Sequence, residues 1–266
     1  VARVYPKVVK SLEFARVLRA LRMTDEYKND PKKRDYYGVV PASNSHEGYY
    51  PAKHSYWDDL WIIKGLRDGA YLATVLGHTN DAVWMAAEAE DLRKCTYESM
   101  VSVAKRVGIN QLPGCVELGD LDATSTSIGV MACDEADFMP QPWLNNTFDN
   151  YYNHISKRFR GEKDTFTPYE ARNADVFTRL GQRDRALALL RYLANDSARP
   201  FGWNHLAEVV HAKERAPSYI GDMPHTWCGS DLISAIRTVF AYEIGERLTL
   251  AAGVDPAWLN EGVTVK

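Results

Sequence analysis

The chain has 266 residues, of which 45% are hydrophobic, enough to bury a sizeable core. Its net charge is only −3 and acidic and basic residues are interspersed, so the sequence offers no electrostatic footprint for nucleic acid or for an anionic membrane surface. No apolar run approaches the roughly 20 residues that span a bilayer. We therefore expect a globular protein without a nucleic-acid or membrane partner.

Apolar residues recur with a helical period along almost the whole chain. The apolar face of the first helix comprises Phe14, Val17, Leu18 and Leu21. The second helix is apolar nearly all round, which predicts that it is buried. Strand signals are confined to short pieces such as the tail 262–266. The eight predicted helices cover 6–23, 56–76, from 80, from 122, 141–160, from 167, 183–194 and 227–244.

Charged and apolar helices alternate along the chain, and the linker lengths alternate with them. The linkers after apolar helices have only a few residues, which makes neighbouring helices antiparallel. The linkers before apolar helices are long and cover 24–55, 108–121, 161–166 and 197–226. All apolar helices should therefore point the same way, with the long loops on one face. We predict an all-α toroid of helical hairpins in a single domain, 1–266, whose inner helices begin near Trp57, Asp122, Pro168 and Trp227.

Acidic and aromatic side chains stand at the starts of these inner helices. The second helix begins SYWDDLWIIKGLRDG, in which Ser55 and Asp58 are predicted to form a capping pair and Asp59 to face the cavity. The later inner helices begin in VELGDLDATS, TPYEAR and GDMPHTWCGSD. Sugar rings stack on indole rings, and carboxylates bind hydroxyl groups and transfer protons. The pattern therefore predicts a carbohydrate site at the mouth of a central cavity.

Three of these segments resemble motifs of a known family, the six-hairpin glycosidases with an (α/α)6 toroid. WDDLWIIKGL resembles the WDxxF/W helix start, ELGDLDATS the ESGxDNSP-type loop, and DMPHTWCGSDLI the PNGWxP segment. The trehalase and processing α-glucosidase branch is the most similar. ELGDLDATS needs a one-residue insertion to bring Asp122 onto the catalytic acid of that family. Eight helices make four hairpins instead of six, so we expect an incomplete ring or part of a longer polypeptide.

The resemblance implies a glycoside hydrolase that acts on α-linked oligo- or polysaccharides by inversion, without a cofactor or a metal. Such a reaction uses a general acid and a general base whose carboxyl groups lie about 6.5–9.5 Å apart. The resemblance makes Asp122 the acid, while Glu208 is the predicted base because it lies in a long loop beside Trp203. Glu117 is a further catalytic candidate. The predicted substrate-binding residues are Asp59, Trp57, Trp61, Asp120, Trp203, His225 and Trp227.

Structural roles compete with these predictions. Asp122 has Ser125 three residues further on and makes a good helix N-cap, although capping and catalysis can coexist. Glu170 fits a capping box with Thr167, and each tryptophan is also a candidate for the core. The four cysteines form no CxxC pair and are interpreted as structural thiols.

Three other functions are alternatives to a hydrolase. A non-catalytic toroid would bind carbohydrate without transforming it. A polysaccharide lyase would use a Tyr/His/Arg set instead of paired carboxylates. A zinc-dependent lanthionine-type cyclase would hold zinc through a cysteine in a WCxG context, which residues 225–229 resemble faintly, but the further Cys-His-Gly ligand pair of those enzymes is missing here.

Overall fold

The computed structural model describes residues 1–45, 49–195, 206–212, 218–260, 262 and 264. The chain forms two compact units, Val1–Thr147 and Phe148–Lys266. Helices dominate the described part of both units and strands are short, in agreement with the predicted all-α class. No helix in these described ranges combines the length and the apolar character needed to cross a bilayer. The closed toroid and the single-domain organisation stay predictions.

Apart from a short helix over Asp25–Asn29, which lies in the predicted linker 24–55, the helices of the first unit begin close to the predicted positions. They are α1 (Tyr5–Ala20), α2 (Asp25–Asn29), α3 (Tyr56–Val75), α4 (Thr79–Val107) and α5 (Ala123–Met131), and the boundary between the units falls within α6 (Trp143–Ile155). A 3₁₀ turn covers Arg34–Tyr36. The predicted starts at 56, 80 and 122 are therefore confirmed to within one residue, because the apolar period and the capping residues act locally.

The core of the first unit lies where α1, α3 and α4 meet. Its buried apolar residues are Leu12, Ile63, Leu66, Met85, Ala89 and Leu92. A glycine at position 69 of α3 makes the close approach possible, since a Cβ on Gly69 would clash with the side chain of Leu12 on α1. A larger residue at this position would require the side chain of Leu12 to shift.

The predicted apolar face of α1 is wrong. Three of its four residues are more than half exposed, namely Phe14, Val17 and Leu21. The buried side carries Leu12 and, unexpectedly, the charged Arg19. Arg19 Nε donates to the carbonyl of Gly38 at 2.7 Å, and its guanidinium pairs with Glu88 and with Asp91 of α4. Because the guanidinium finds these acceptors, α1 turns its arginine inward and its apolar stripe outward.

The prediction that α3 is buried all round is also wrong. Its buried stripe comprises Tyr56, Asp59, Leu60, Ile63, Leu66, Gly69 and Ala73. Trp61, Tyr71 and Val75 are exposed on the other side of the helix. Helices α1, α4 and α5 pack against α3 and cover only part of its circumference, so the other side of the helix is exposed.

A buried ionic network ties the end of α5 to α3 and α4. Glu135, just after α5, is fully buried. Its carboxylate accepts hydrogen bonds from Arg93 Nε at 2.6 Å, from Arg67 Nη1 at 2.7 Å and from the Tyr97 hydroxyl at 2.9 Å. Two cations and one phenol therefore share a single buried anion.

The second unit combines helices with two short hairpins. Its further helices are α7 (Ala171–Arg179), α8 (Arg183–Ala194), α9 (Thr226–Phe240) and α10 (Pro256–Leu259), and 3₁₀ turns cover Arg158–Arg160 and Pro168–Glu170. Strands β1 (Val209–Val210) and β2 (Tyr219–Ile220) pair antiparallel, as do β3 (Ala241–Ile244) and β4 (Arg247–Leu250). The predicted helices from 167 and over 183–194 are confirmed, except that the first opens with a 3₁₀ turn.

The predicted helix 227–244 is too long, because α9 ends at Phe240 and β3 follows directly. From Ala241 onwards burial alternates along the strand, with Tyr242 buried and Glu243 exposed. Gly245 adopts a positive φ of 56° in the tight turn between β3 and β4, a conformation that glycine favours. The hairpin was missed because apolar residues of α9 run into those of β3 without a break.

Candidate functional site

In the first unit, helices α3 and α5 begin side by side. The segment before α3 pairs with the loop before α5, through a bridge between Ser55 and Cys115. The N–H of Tyr56 donates to the carbonyl of Gly114 at 3.1 Å, and the N–H of Gly114 donates to the carbonyl of Asp120 at 3.0 Å. The hairpin pattern required the starts of these two helices to lie at one end of the unit, and they do.

Two aspartates and a buried phenol converge around Gly114. The hydroxyl of Tyr49 donates to Asp120 Oδ2 at 2.9 Å. A side chain at position 114 would collide with the Tyr49 hydroxyl and with Asp122 and would lie close to Asp120. These three residues therefore pack directly against the backbone of Gly114. Burial raises the pKa of Tyr49, and the charges of Asp122 and Asp120 raise it further. Tyr49 therefore stays protonated and acts as a hydrogen-bond donor at neutral pH.

Asp122 is the N-cap of α5, as the capping interpretation predicted. Its Oδ1 accepts from the N–H of Ser125 at 2.9 Å and from the hydroxyl of Thr124 at 2.9 Å. Its Oδ2 accepts from the hydroxyl of Ser125. The carboxylate is thus held in one orientation by three donors, which is the fixed geometry that a catalytic or a binding group also needs.

Glu117 is held by His54. The backbone N–H of His54 donates to Glu117 Oε2 at 3.0 Å, and its Nδ1 lies 2.7 Å from Oε1. Arg22 Nε donates to the other imidazole nitrogen at 3.1 Å, so Nδ1 carries the hydrogen. Partial burial tends to raise the pKa of Glu117, but the hydrogen bonds from His54 outweigh it and lower the pKa. Glu117 is therefore an ionised acceptor and a poor proton donor.

The prediction that Asp59 faces the cavity is wrong. Its side chain is buried on the same face of α3 as Ile63, and only 1% of the residue is exposed. Oδ1 accepts from the N–H of Val40 at 3.0 Å, while Oδ2 has no hydrogen-bond partner. Burial raises the pKa of Asp59 well above its ordinary value. The hydrogen bond from the Val40 N–H lowers this pKa and the neighbouring charge of Asp58 raises it, but burial is the largest effect. Asp59 is therefore a buried residue on the inner face of α3.

The predicted capping pair of Ser55 and Asp58 is wrong as well. The hydroxyl of Ser55 is buried without a hydrogen-bond partner. Asp58 instead accepts from the hydroxyls of Ser43 at 2.6 Å and of Ser45 at 2.8 Å. The long loop before α3 thus supplies the partners, which helical spacing alone does not reveal. Asp58 is half-buried and is the more exposed of the two aspartates, the position that was predicted for Asp59.

We expect Asp59→Asn to stabilise the protein increasingly as the pH rises. An unfolded aspartate has a pKa of about 3.9, and burial raises the folded value above it, so the folded parent binds more protons and loses stability with rising pH through that window. Asparagine keeps the acceptor for Val40 and cannot ionise. Urea unfolding of parent and variant should give equal stability near pH 4 and a gain for the variant at pH 8. Asp58→Asn is the matched control, and a gain that does not change with pH would contradict the prediction.

Two indole rings flank the start of α3. The rings of Trp57 and Trp61 meet edge to face, with centroids 6.0 Å apart and an interplanar angle of 71°. Trp57 is half-buried and Trp61 is exposed, so an indole surface lies open one helical turn from Asp58. Trp61 therefore presents an indole ring to the solvent, whereas Trp57 is partly covered.

In the second unit, Glu208 lies beside the start of the Pro168–Glu170 turn. The hydroxyl of Thr167 donates to the carbonyl of Glu208 at 2.8 Å. The N–H of Asp222 donates to Glu208 Oε2 at 3.1 Å, and the carboxylate packs against Gly221, where no side chain would fit. The N–H of His225 donates to the carbonyl of Leu206, so His225 and Glu208 flank the same short segment.

His225 and Trp227 meet Tyr169, a residue that the sequence reasoning missed. The Tyr169 hydroxyl lies 3.0 Å from His225 Nε2, and its ring meets that of Trp227 edge to face at 5.0 Å. The guanidinium of Arg172 lies 5.1 Å from the Tyr169 ring centroid and 5.2 Å from that of Trp227. Tyr169 lies within TPYEAR, where the capping motif explains only the threonine and the glutamate.

The predicted capping role of Glu170 is wrong. Its carboxylate is buried and accepts from the hydroxyl of Tyr151 at 2.6 Å and from Arg158 Nη1 at 2.8 Å. Thr167 does cap the turn, with its hydroxyl oxygen accepting from the N–H of Tyr169 at 3.3 Å. The buried arginine outcompetes the helix terminus for the glutamate, since a charged partner binds more strongly than a backbone N–H.

The remaining predicted residues are divided between the units. Trp203 lies outside the described residues. Asp122 and Glu208 belong to different units, and their pairing as acid and base stays a prediction. Cys228 is fully buried, and burial raises the pKa of its thiol to about 12. Across the described chain, no three His, Cys, Asp or Glu side chains come together as a potential metal site. The sequence matches no protein-family model and no curated protein.

Proposed function

We propose that the chain is a glycoside hydrolase that cleaves α-linked oligo- or polysaccharides with inversion. The observation that carries the proposal is the convergence of Asp120, Asp122 and the protonated Tyr49 at the start of α5. Open indole surface at the start of the adjacent α3 supports it, because sugar binding needs both hydrogen-bonding groups and a flat apolar face. The motif resemblance points to the same chemistry.

In the proposed reaction Asp122 protonates the leaving glycosidic oxygen as the bond to the anomeric carbon breaks. Water attacks the anomeric carbon from the opposite face and loses a proton to a general base. Asp120, oriented by Tyr49, binds a sugar hydroxyl, and Trp57 with Trp61 supplies the stacking surface. The glycosidic oxygen thus gains one proton and the attacking water loses one.

Glu117 is assigned a supporting role in this proposal. Its lowered pKa keeps it ionised at neutral pH, so it is unsuited to protonate a leaving group. Through its two contacts with His54 it fixes the segment that leads into α3. Its contribution is therefore to position the start of that helix.

Turnover of a panel of α- and β-linked di- and oligosaccharides by the intact protein tests the proposal. We expect hydrolysis of at least one α-linked member, with the β-anomer of the product appearing first in proton NMR spectra. The β-linked members with the same sugars are the matched controls. Release of the α-anomer first would contradict inversion, an unsaturated uronate product would indicate a lyase, and no turnover of any member would overturn the proposal.

A further inference from the structure

Tyr169, His225, Trp227 and Arg172 form a cluster in the second unit that we name the aromatic corner. His225 is the N-cap of α9, and its Nδ1 accepts from the N–H of Cys228 at 3.3 Å. An imidazole nitrogen that accepts a backbone N–H carries no hydrogen, so the hydrogen of the neutral ring is on Nε2. The helix cap therefore fixes the tautomer of His225.

This tautomer sets the direction of the hydrogen bond to Tyr169. With its hydrogen on Nε2, His225 donates to the phenolic oxygen of Tyr169, 3.0 Å away. A tyrosine hydroxyl has one hydrogen and two acceptor positions, and the imidazole takes one of the acceptor positions. The orientation of the Tyr169 hydroxyl is consequently set by the cap of α9.

Arg172 is the buried member of the aromatic corner. It is buried, and its Nη2 and Nε donate to Asp231 Oδ2 at 2.7 and 3.0 Å. The guanidinium also faces the rings of Tyr169 and Trp227. A buried cation is costly unless it is paired, and the carboxylate and the two ring faces offset that cost. The two rings are therefore held at a fixed, nearly perpendicular angle of 80°.

The corner reaches the solvent at Trp227. This residue is 44% exposed although its ring is supported by a buried ion pair, and Tyr169 is half-buried. An indole ring with a tyrosine packed against it suits a sugar ring, whose C–H face is apolar and whose rim carries hydroxyls. A preorganised surface also binds with a lower entropic cost than a mobile one.

We propose that the aromatic corner is a carbohydrate-binding subsite in which Tyr169 contacts the sugar directly and His225 acts through Tyr169 as a positioning residue. This inference rests on the proposed carbohydrate function and names a residue and a role that the motifs do not contain. Trp227 stacks on the sugar ring, and the Tyr169 hydroxyl bonds a sugar oxygen.

Calorimetric titration with maltoheptaose tests the subsite, with isomaltoheptaose and cellohexaose titrated alongside. The protein carries Asp122→Asn so that the ligand is not consumed. We expect Tyr169→Phe to weaken binding about three- to tenfold, the value of one hydrogen bond, and Trp227→Ala to weaken it about tenfold or more. Tyr152→Phe removes a hydroxyl from another half-buried tyrosine of the same unit and should leave binding unchanged.

His225→Asn separates positioning from folding. Asparagine is a good N-cap, so α9 and the melting temperature should be retained while the bond to Tyr169 is lost. We expect this variant to weaken binding about as much as Tyr169→Phe. The double variant should bind no more weakly than Tyr169→Phe alone, because both changes remove one shared interaction. Binding by His225→Asn as tight as that of the parent would mean that His225 acts only as the cap of α9, and would overturn its positioning role.

The outcomes distinguish the subsite from the hydrolase. If Tyr169→Phe weakens oligosaccharide binding but the parent shows no turnover, the subsite is retained and the hydrolase is rejected. If the parent shows turnover but Tyr169→Phe and Trp227→Ala leave the affinity unchanged, the hydrolase is retained and the subsite is overturned. Failure of all three oligosaccharides to bind would also overturn the subsite.

Discussion

Asp122→Asn is expected to lower the hydrolysis of unactivated α-glycosides by about two to four orders of magnitude, the contribution of a general acid. Asparagine cannot donate a proton as a carboxylic acid does. It does retain an oxygen that accepts from the N–H of Ser125, and it caps helices about as well as aspartate. The melting temperature should therefore stay close to that of the parent, and the kinetics and the thermal scan together separate catalysis from capping.

Leaving-group dependence sharpens this test. Aryl glycosides and glycosyl fluorides need little protonation to depart, so the variant should lose far less activity on them. Asp255→Asn is the matched control, since Asp255 caps α10 by accepting from the N–H of Ala257 at 3.0 Å. Asp255→Asn should change neither the hydrolysis of unactivated glycosides nor that of aryl glycosides and glycosyl fluorides. Full activity of Asp122→Asn on a natural glycoside would leave Asp122 as a cap and make Asp120 the next candidate, because Glu117 is held ionised.

Helix positions were predictable from the sequence because they depend on local signals. The apolar period places α3, α4 and α5 to within one residue of their observed starts. Helix faces were less predictable, since they depend on which neighbours are present. α1 exposes Phe14 and buries Arg19, because acidic residues on α4 provide partners for the guanidinium. Such a partner, 69 or more residues away, leaves no mark on the local pattern.

The candidate site was predictable as a set of helix starts but not as a set of contacts. The sequence placed Asp122 correctly as a cap, because its partner Ser125 is three residues away. It assigned the exposed role to Asp59 instead of Asp58, because the serines that hold Asp58 come from a long loop. Tyr49 was missed for the same reason, since its contact with Asp120 spans 71 residues.

The buried network around Glu135 is expected to give the largest effect on stability. Glu135→Gln keeps the size of the side chain but removes the anion that serves both Arg93 and Arg67. Arg93 is buried, and removing one partner of a buried ion pair costs about 3–5 kcal/mol. We therefore expect the free energy of unfolding of the first unit to fall by about that amount, with unfolding at a lower urea concentration.

Arg93 also offers its own control, because it has a second acidic partner at the surface. Glu90 pairs with the same guanidinium from the preceding turn of α4, but its side chain is 69% exposed. Glu90→Gln should change the free energy of unfolding by less than about 1 kcal/mol, since solvent screens an exposed pair. Urea denaturation followed by circular dichroism compares the two variants directly. Equal losses would mean that burial does not decide the strength of the network, and a loss below about 1 kcal/mol for Glu135→Gln would mean that the two arginines are solvated in its absence.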